Sequence, residues 1–177
     1  CMQSGIDAEH IISMGALSDR VTITGNTKYD ETYVEVSEEE KQQLRHEFHF
    51  DGKGPVIVAG STHNGEEEII LRIFGKILKE YPDARLLLAV CEITRAPSVR
   101  FLVKHFGYSV LRRSKMGTEE DDGRGHQVII LDTIGELGRL YSLADVVFVG
   151  GSFVRVGGHN ILEPAAHGKP VLVGPYM

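Results

Sequence analysis

A glycine-rich segment, residues 150–164, has the residue types and spacing best suited to hold a ligand. It reads GGSFVRVGGHNILEP and lies between an apolar run and a helical pattern. Its four glycines allow tight turns and close approach of the backbone to a ligand. The N–H groups and positive dipole end of the following helix suit a phosphate, and Glu163 can accept hydrogen bonds from sugar hydroxyls. The alternative is an ordinary helix start, in which Asn160 is the N-cap and Glu163 is its capping-box partner. The two glycine pairs favour the ligand site, because a cap alone needs neither.

Two other segments follow apolar runs. Residues 60–65 open a second helix, but the glutamates at 66–68 occupy its first turn and would repel an anion. We therefore expect this loop either to contact uncharged parts of a ligand or only to cap the helix, and the acidic triplet to be a solvated helix start. In the third segment Asp132 is either an N-cap or a ligand contact. Backbone groups of Ile134 and Gly135 are suited to a base edge there.

The remaining histidines and cysteines predict no metal centre. His46 and His49 share one helical face, but no third ligand is apparent in the sequence. His159, beside the glycine-rich segment, either donates to an anion or bonds to the backbone of the turn. Cys91 follows an apolar run and is expected to be a small buried residue. Two cysteines are too few for a disulfide scaffold or a four-thiolate zinc site.

The elements that must position these residues alternate along the chain. Short apolar runs predict strands at 56–59, 86–90, 108–111, 128–131, 146–149 and 171–173. Helical periodicity and caps predict helices at 37–50, 65–80, 97–106, 135–143 and 160–167. A further short strand is predicted at 21–24 and an extended linker at 31–36. This alternation predicts an α/β fold, a Rossmann-like doubly wound parallel sheet whose ligands bind beyond the carboxyl ends of the strands.

Composition excludes several classes of protein. The 177 residues include 19 Lys and Arg against 25 Asp and Glu, a formal net charge of −6. This acidic balance argues against a dedicated nucleic-acid binder, which usually carries a basic stripe. The sequence has no apolar run near the roughly 20 residues that a membrane helix needs. Because the chain starts at Cys1 and stops at Met177, just after a predicted strand, we expect it to be a piece of a longer protein.

Four segments together resemble a known family, the bacterial 3-deoxy-D-manno-octulosonic acid (Kdo) transferases of lipopolysaccharide assembly. One such motif alone would be weak, but four in the expected order at compatible spacing are specific. The resemblance covers almost the whole chain. The matching segments are 25–30 (GNTKYD), 59–63 with 65–68 (AGSTH and GEEE), 131–137 (LDTIGEL), and 148–151 running into 157–166 (FVGG and GGHNILEPAA).

The resemblance implies the C-terminal half of a GT-B glycosyltransferase, in which two Rossmann-like domains face a cleft. Residues 1–30 would be the end of the N-terminal acceptor domain with the crossover strand, and residues 31–54 a linker and helix. Residues 55–177 would be the Rossmann-like nucleotide-sugar (donor) binding domain, truncated at its C-terminus. The implied reaction moves Kdo from CMP-Kdo to a lipid A precursor, with inversion.

The resemblance also implies the site. According to the resemblance, the site uses no metal and no cofactor, because CMP-Kdo is the donor substrate. The catalytic base would lie in the missing N-terminal domain. The chain alone is therefore expected to be soluble and inactive. The lipid A precursor and the membrane, at the cytoplasmic face of the bacterial inner membrane, would be contacted through that missing part. The implied donor contacts are Ile134, Gly135, Glu136, Asn160, Ile161, Leu162 and Glu163, with Ser61, Thr62, Gly158 and His159 as further candidates.

One departure from the family pattern leaves alternatives open. The family carries a Pro-Arg-His motif after the strand ending near Val90, and its arginine helps to bind the nucleotide. Here Cys91 and Glu92 stand in that place, which should weaken phosphate binding unless Arg95 substitutes. The alternatives are a UDP-sugar-dependent GT-B enzyme or a UDP-N-acetylglucosamine 2-epimerase fragment, and a diverged non-catalytic nucleotide-binding module.

Overall fold

The computed structural model describes residues 1–26 and 35–177, and the chain divides into two compact units. The small N-terminal unit holds helix α1 (Gly5–Ser13), whose N-cap Ser4 accepts a hydrogen bond from the backbone of Asp7. The strand predicted at 21–24 is wrong: only an isolated bridge between Met2 and Ile23 forms there. A strand needs a partner along several residues, whereas this bridge pairs only one residue on each side. The linker predicted at 31–36 falls mostly outside the described residues.

The larger unit is built on a six-stranded, wholly parallel sheet in the order β3-β4-β2-β1-β5-β6. Each strand predicted between residues 56 and 173 is present, with small differences in length. The strands are β1 (Val56–Thr62), β2 (Arg85–Val90), β3 (Val110–Arg112), β4 (Val128–Leu131), β5 (Val146–Val149) and β6 (Val171–Leu172). Their central residues are apolar because helices cover both faces of the sheet, so the predicted doubly wound fold is confirmed.

Five helices accompany this sheet in the described residues. They are α2 (Glu38–Glu47), α3 (Glu66–Glu80), α4 (Ala96–His105), α5 (Leu137–Leu140) and α6 (Leu162–Ala166). Helix α2 has the predicted Ser37 cap but ends at Glu47 rather than Phe50. There His49 takes a positive φ of 54°, and Phe48 and Phe50 turn into the core. His49 thus lies beyond the helix, where its ring contacts Asp121 (3.4 Å), and not on an exposed helical face.

Two apolar cores lie on opposite faces of the sheet. One is shared by α2, α5 and the turn 141–143, and the other by α3 and α4. Strand β1 pairs with β2 on one side and with β5 on the other. The chain therefore leaves β1 and β5 in opposite directions, which makes the carboxyl ends of these two strands the topological switch point. Among the described residues, no helix has the length and apolar character needed to cross a bilayer.

Candidate functional site

The loops that follow β1 and β5 meet at the switch point with almost no space between their backbones. The Gly150 N–H donates to the carbonyl of Gly60 (2.8 Å). A Cβ placed on Gly150 would lie 2.7 Å from the carbonyl carbon of Ser61 and 2.8 Å from the Cα of Thr62, so only glycine fits. Ser61 itself has a positive φ of 55°, in a stretch where the β1–β2 pairing shifts register. Strained backbone of this kind concentrates at ligand sites.

A buried glutamate joins the two loops. The Glu66 carboxylate accepts hydrogen bonds from the N–H groups of Gly151 (2.8 Å), Ser152 (3.1 Å) and Phe153 (2.9 Å). It also accepts the N–H of His63 (2.8 Å). The cradle of N–H groups that directly follows β5 is therefore filled by a carboxylate of the protein itself. A ligand anion at the glycine-rich segment has to bind further along it.

The neighbouring glutamate is also buried, so the predicted solvated helix start is wrong. Glu67 accepts a hydrogen bond from the Thr62 hydroxyl (3.0 Å) and forms an ion pair with Arg95 (2.9 Å). Glu66 and Glu67 are 0% and 1% exposed, whereas Glu68 is exposed. Buried carboxylates are retained because every one of these oxygens finds a donor. Thr62, proposed as a further ligand contact, is itself fully buried and holds Glu67 in place.

Two histidines from these loops contact each other directly. The Nε2 atoms of His63 and His159 are 2.7 Å apart, the ring planes differ by 6° and the ring centroids are 5.0 Å apart. Parallel rings in face-to-face contact keep their atoms about 3.5 Å apart, so these rings lie edge to edge with the two Nε2 atoms facing each other. The described contact of the His159 ring is thus with another histidine and not with the backbone of the turn. Burial and the nearby His63 lower the pKa of His159, which favours its neutral form.

The loop after β4 presents backbone rather than charge. Ile134 is 86% exposed and Gly135 has a positive φ of 86°. The Glu136 carboxylate, by contrast, is held by Arg113 (2.9 Å), Arg139 and Thr133. Its positions for further donors are largely filled, so it shapes the loop. Asp132 is neither an N-cap nor open to a ligand, because it accepts from the backbone and hydroxyl of Ser114 (2.8 and 2.7 Å).

The charge network of Glu136 predicts an acid-dependent stability. Burial raises the pKa of Glu136, but hydrogen bonds from Arg113 and Thr133 outweigh it and bring the pKa from 4.5 to about 2. The unfolded chain then binds more protons than the folded one between these values, so stability falls as the pH drops from 4.5 to about 2. We expect Glu136→Gln to be less stable than the parent at neutral pH, and we expect this difference in stability to disappear as the pH falls across this range. Urea unfolding at each pH measures the difference.

The exposed Glu39 provides the control for this experiment. Glu39→Gln on α2 should leave the whole pH profile unchanged. A gap between Glu136→Gln and the parent that is the same at every pH would show that the charge of Glu136 is not what stabilises the loop.

The glycine-rich segment ends beside α5. Asn160 Oδ1 accepts the N–H of Leu162 (3.0 Å), and its amide lies 3.4 Å from the Glu163 carboxylate. Asn160 thus bonds to the start of the helix, but the N-cap position is Ile161, one residue later than predicted. Helix α6 begins at Leu162 and has only five residues, so its dipole is smaller than the prediction assumed. A Cβ on Gly138 would lie 3.7 Å from Glu163 Oε2. Glu163 therefore lies close to α5 (Leu137–Leu140), which directly follows residues 134–136.

Proteins of two bacteria are similar to this chain in sequence. It is 38% identical over 174 residues to 3-deoxy-D-manno-octulosonic acid transferase of Haemophilus influenzae, covering 98% of this chain and 40% of that protein. It is 39% identical over 175 residues to a bifunctional glycosyltransferase/methyltransferase of Fusobacterium nucleatum, covering 99% and 26%. No protein-family model matches.

A solved structure decides the family. It is the C-terminal CMP-Kdo binding domain of WaaA from Acinetobacter baumannii, with a TM-score of 0.68 and 30% identity over 78% of this chain and 70% of that one. The chain belongs to the Kdo transferase family. The predicted resemblance and fold class are thereby confirmed. The chain spans less than half the length of the two relatives matched by sequence.

The departure from the family motif has a structural consequence. Cys91 is exposed, not buried as expected, because it is the first residue beyond β2 at the edge of the switch point. Arg95, the expected substitute for the family's arginine, is committed to Glu67 and to the carbonyl of Thr62 (3.3 Å). In this Kdo transferase domain neither residue offers a free cation to a phosphate. A cleft of about 980 Å³ lies beside them and is lined in part by His63, Glu92 and Arg95.

Proposed function

We propose that this chain is the donor-binding domain of a Kdo transferase and that it binds CMP-Kdo at the carboxyl ends of β4 and β5. The observation that carries the proposal is the approach of Glu163 to Gly138, in the helix that directly follows residues 134–136. The resemblance names the segments 134–136 and 160–163 as donor contacts. The related domain from Acinetobacter baumannii is described as binding CMP-Kdo, which supports the same ligand here.

Each segment has a distinct role in this proposal. The exposed backbone and side chain of Ile134, with Gly135, meet the cytosine base, while Glu136 holds their loop through Arg113. Glu163 accepts hydrogen bonds from the ribose hydroxyls. Carboxylates form hydrogen bonds roughly twice as strong as neutral acceptors do.

The phosphate and sugar lie further along the glycine-rich segment. Because Glu66 fills the N–H cradle at residues 151–153, the donor phosphate is placed nearer Gly158, His159 and Asn160. A neutral His159 donates a hydrogen bond there without adding a charge. Backbone N–H groups of Ile161 and neighbouring residues complete the contacts that stabilise charge on the departing CMP.

A charge-removing substitution at Glu163 tests this arrangement. We expect Glu163→Gln to weaken CMP binding about tenfold, near 1.4 kcal/mol, because the ribose hydroxyls lose a charged acceptor. Isothermal titration calorimetry of CMP into both proteins measures the change. Glu39→Gln, which alters an exposed glutamate on α2, should bind CMP as the parent does. Equal CMP affinity in all three proteins would contradict the role of Glu163.

The reaction of the whole enzyme is part of the same proposal. It transfers Kdo from CMP-Kdo to a lipid A precursor with inversion, at the cytoplasmic face of the bacterial inner membrane. Residues 1–30 then belong to the end of the acceptor domain, residues 31–54 to a linker and helix, and residues 55–177 to the donor domain. We propose that the acceptor domain supplies the catalytic base and the membrane contact, so that this chain alone binds the donor without transferring Kdo.

A further inference from the structure

Three potential metal ligands converge at the switch point from three different places in the sequence. His63 follows β1, Cys91 follows β2, and His159 belongs to the glycine-rich segment after β5. The Sγ atom of Cys91 and one ring nitrogen of each histidine all lie within 4.8 Å of one another. Neighbouring parallel strands end at the same edge of the sheet, which is why the topology brings these residues together.

We propose that His63, Cys91 and His159 bind a divalent transition metal ion, with Zn²⁺ the best match. Two imidazoles and one thiolate are borderline-to-soft ligands, which suit Zn²⁺ and not Mg²⁺ or Ca²⁺. Three protein ligands leave the fourth tetrahedral position for water or a substrate oxygen.

Binding a metal ion requires the side chains of His63 and His159 to move. Zn–N bonds of about 2.0–2.1 Å at a tetrahedral angle place two nitrogens roughly 3.3 Å apart. The Nε2 atoms of His63 and His159 now stand 2.7 Å apart, so they must separate by roughly 0.6 Å, which side-chain rotation achieves. Because the two nitrogens now face each other, both rings must also turn so that the nitrogens face the ion. Without a metal, one of them has to donate the single proton that they share.

The surroundings favour a cation. Glu66, with its buried carboxylate, acts electrostatically on His159. Glu92 follows Cys91 and lines the adjacent cleft with His63. Arg95 lines the same cleft, but its charge is paired with Glu67. Around the proposed site, the described carboxylates therefore outnumber the positively charged side chains that have no partner.

A second group of potential ligands, Asp121, Asp122 and His126, is less suitable. The Asp121 carboxylate already accepts the N–H groups of Gly117 (2.9 Å) and Gly123 (3.0 Å). A metal would have to compete with these turn hydrogen bonds. This group nevertheless provides a control, because Asp122→Ala removes an exposed ligand from it and leaves the switch point untouched.

Cobalt titration tests the proposal independently of enzyme activity. Under reducing conditions, Co²⁺ should bind the chain at one equivalent and give a thiolate-to-cobalt charge-transfer band, with visible bands of a tetrahedral ion. Added Zn²⁺ should remove both. Cys91→Ser should abolish the charge-transfer band, and His63→Ala and His159→Ala should each weaken Zn²⁺ binding roughly 10-fold or more.

Two controls make the outcome decisive. Cys1→Ser, which changes the other exposed cysteine, and Asp122→Ala should both bind Co²⁺ as the parent does. A charge-transfer band that survives in Cys91→Ser would overturn the proposal. So would loss of binding in Asp122→Ala, or failure of the parent chain to bind Co²⁺ or Zn²⁺. None of these results depends on whether CMP binds.

Discussion

Replacing Glu66 by alanine is expected to lower the free energy of unfolding by about 3–5 kcal/mol, because four backbone N–H groups lose their acceptor at once. Three of these groups belong to Gly151, Ser152 and Phe153 and the fourth to His63. The substitution also leaves a cavity at a position with no exposed surface. The loops after β1 and β5 then lose the contact that fixes them to each other. Urea unfolding followed by circular dichroism measures the change.

The adjacent Glu68 provides a matched control. It belongs to the same helical turn, but it is exposed and pairs only with Arg72 on the surface. We expect Glu68→Ala to change the free energy of unfolding by less than about 1 kcal/mol. Glu66→Gln keeps the volume but turns an amide N–H₂ toward backbone donors, so it should lie between the two. Similar values for Glu66→Ala and Glu68→Ala would contradict the role assigned to the buried carboxylate.

Replacing Gly150 by alanine is the second substitution with a large expected effect. The added Cβ meets the backbone of Ser61 and Thr62, at 2.7 Å from the carbonyl carbon and 2.8 Å from the Cα. Side-chain rotation cannot relieve a clash with backbone, so β1 and β5 must move apart at the end where the loops meet. We expect a loss of about 2–3 kcal/mol in the free energy of unfolding, measured by urea unfolding. We also expect weaker CMP binding, measured by calorimetry.

Gly52 separates this clash from the general effect of adding a methyl group. No atom lies within 4 Å of a Cβ placed on Gly52, and its φ is not positive. Gly52→Ala should therefore change stability by no more than about 0.5 kcal/mol. If Gly150→Ala unfolds at the same urea concentration as Gly52→Ala, the close approach of the two strand ends is not a constraint on the fold.

The sheet was predictable because its strands are buried on both faces. Runs such as residues 86–90 and 128–131 are apolar at every position, which distinguishes them from surface strands. The isolated run at 21–24 has no such support, since a β-type sequence specifies a strand only where a partner strand exists. Likewise, the pattern at Asn160 predicts a helix start to within one residue but not that the helix ends after five residues.

The burial of Glu66 and Glu67 was not predicted, because the partners of a carboxylate can lie far away in sequence. Three of the four N–H groups that hold Glu66 come from residues about 85 positions later. One signal was available: Glu66 precedes Ile70 and Phe74 by four and eight residues and so lies on the buried stripe of α3. The convergence of His63, Cys91 and His159 was hidden for the same reason, since it depends on strand order rather than on spacing.

Nucleotide selectivity tests the central claim most directly. The thermal unfolding midpoint of the unaltered chain is measured without ligand and with CMP, UMP or UDP. A ligand at 100 times its dissociation constant adds about 2.7 kcal/mol, which for a domain of this size is a shift of roughly 5–10 °C. A donor-binding domain for CMP-Kdo predicts this shift with CMP and none with UMP or UDP. A shift selective for UDP would instead indicate a UDP-sugar enzyme or a 2-epimerase, and the absence of a shift with every nucleotide would contradict a working donor site.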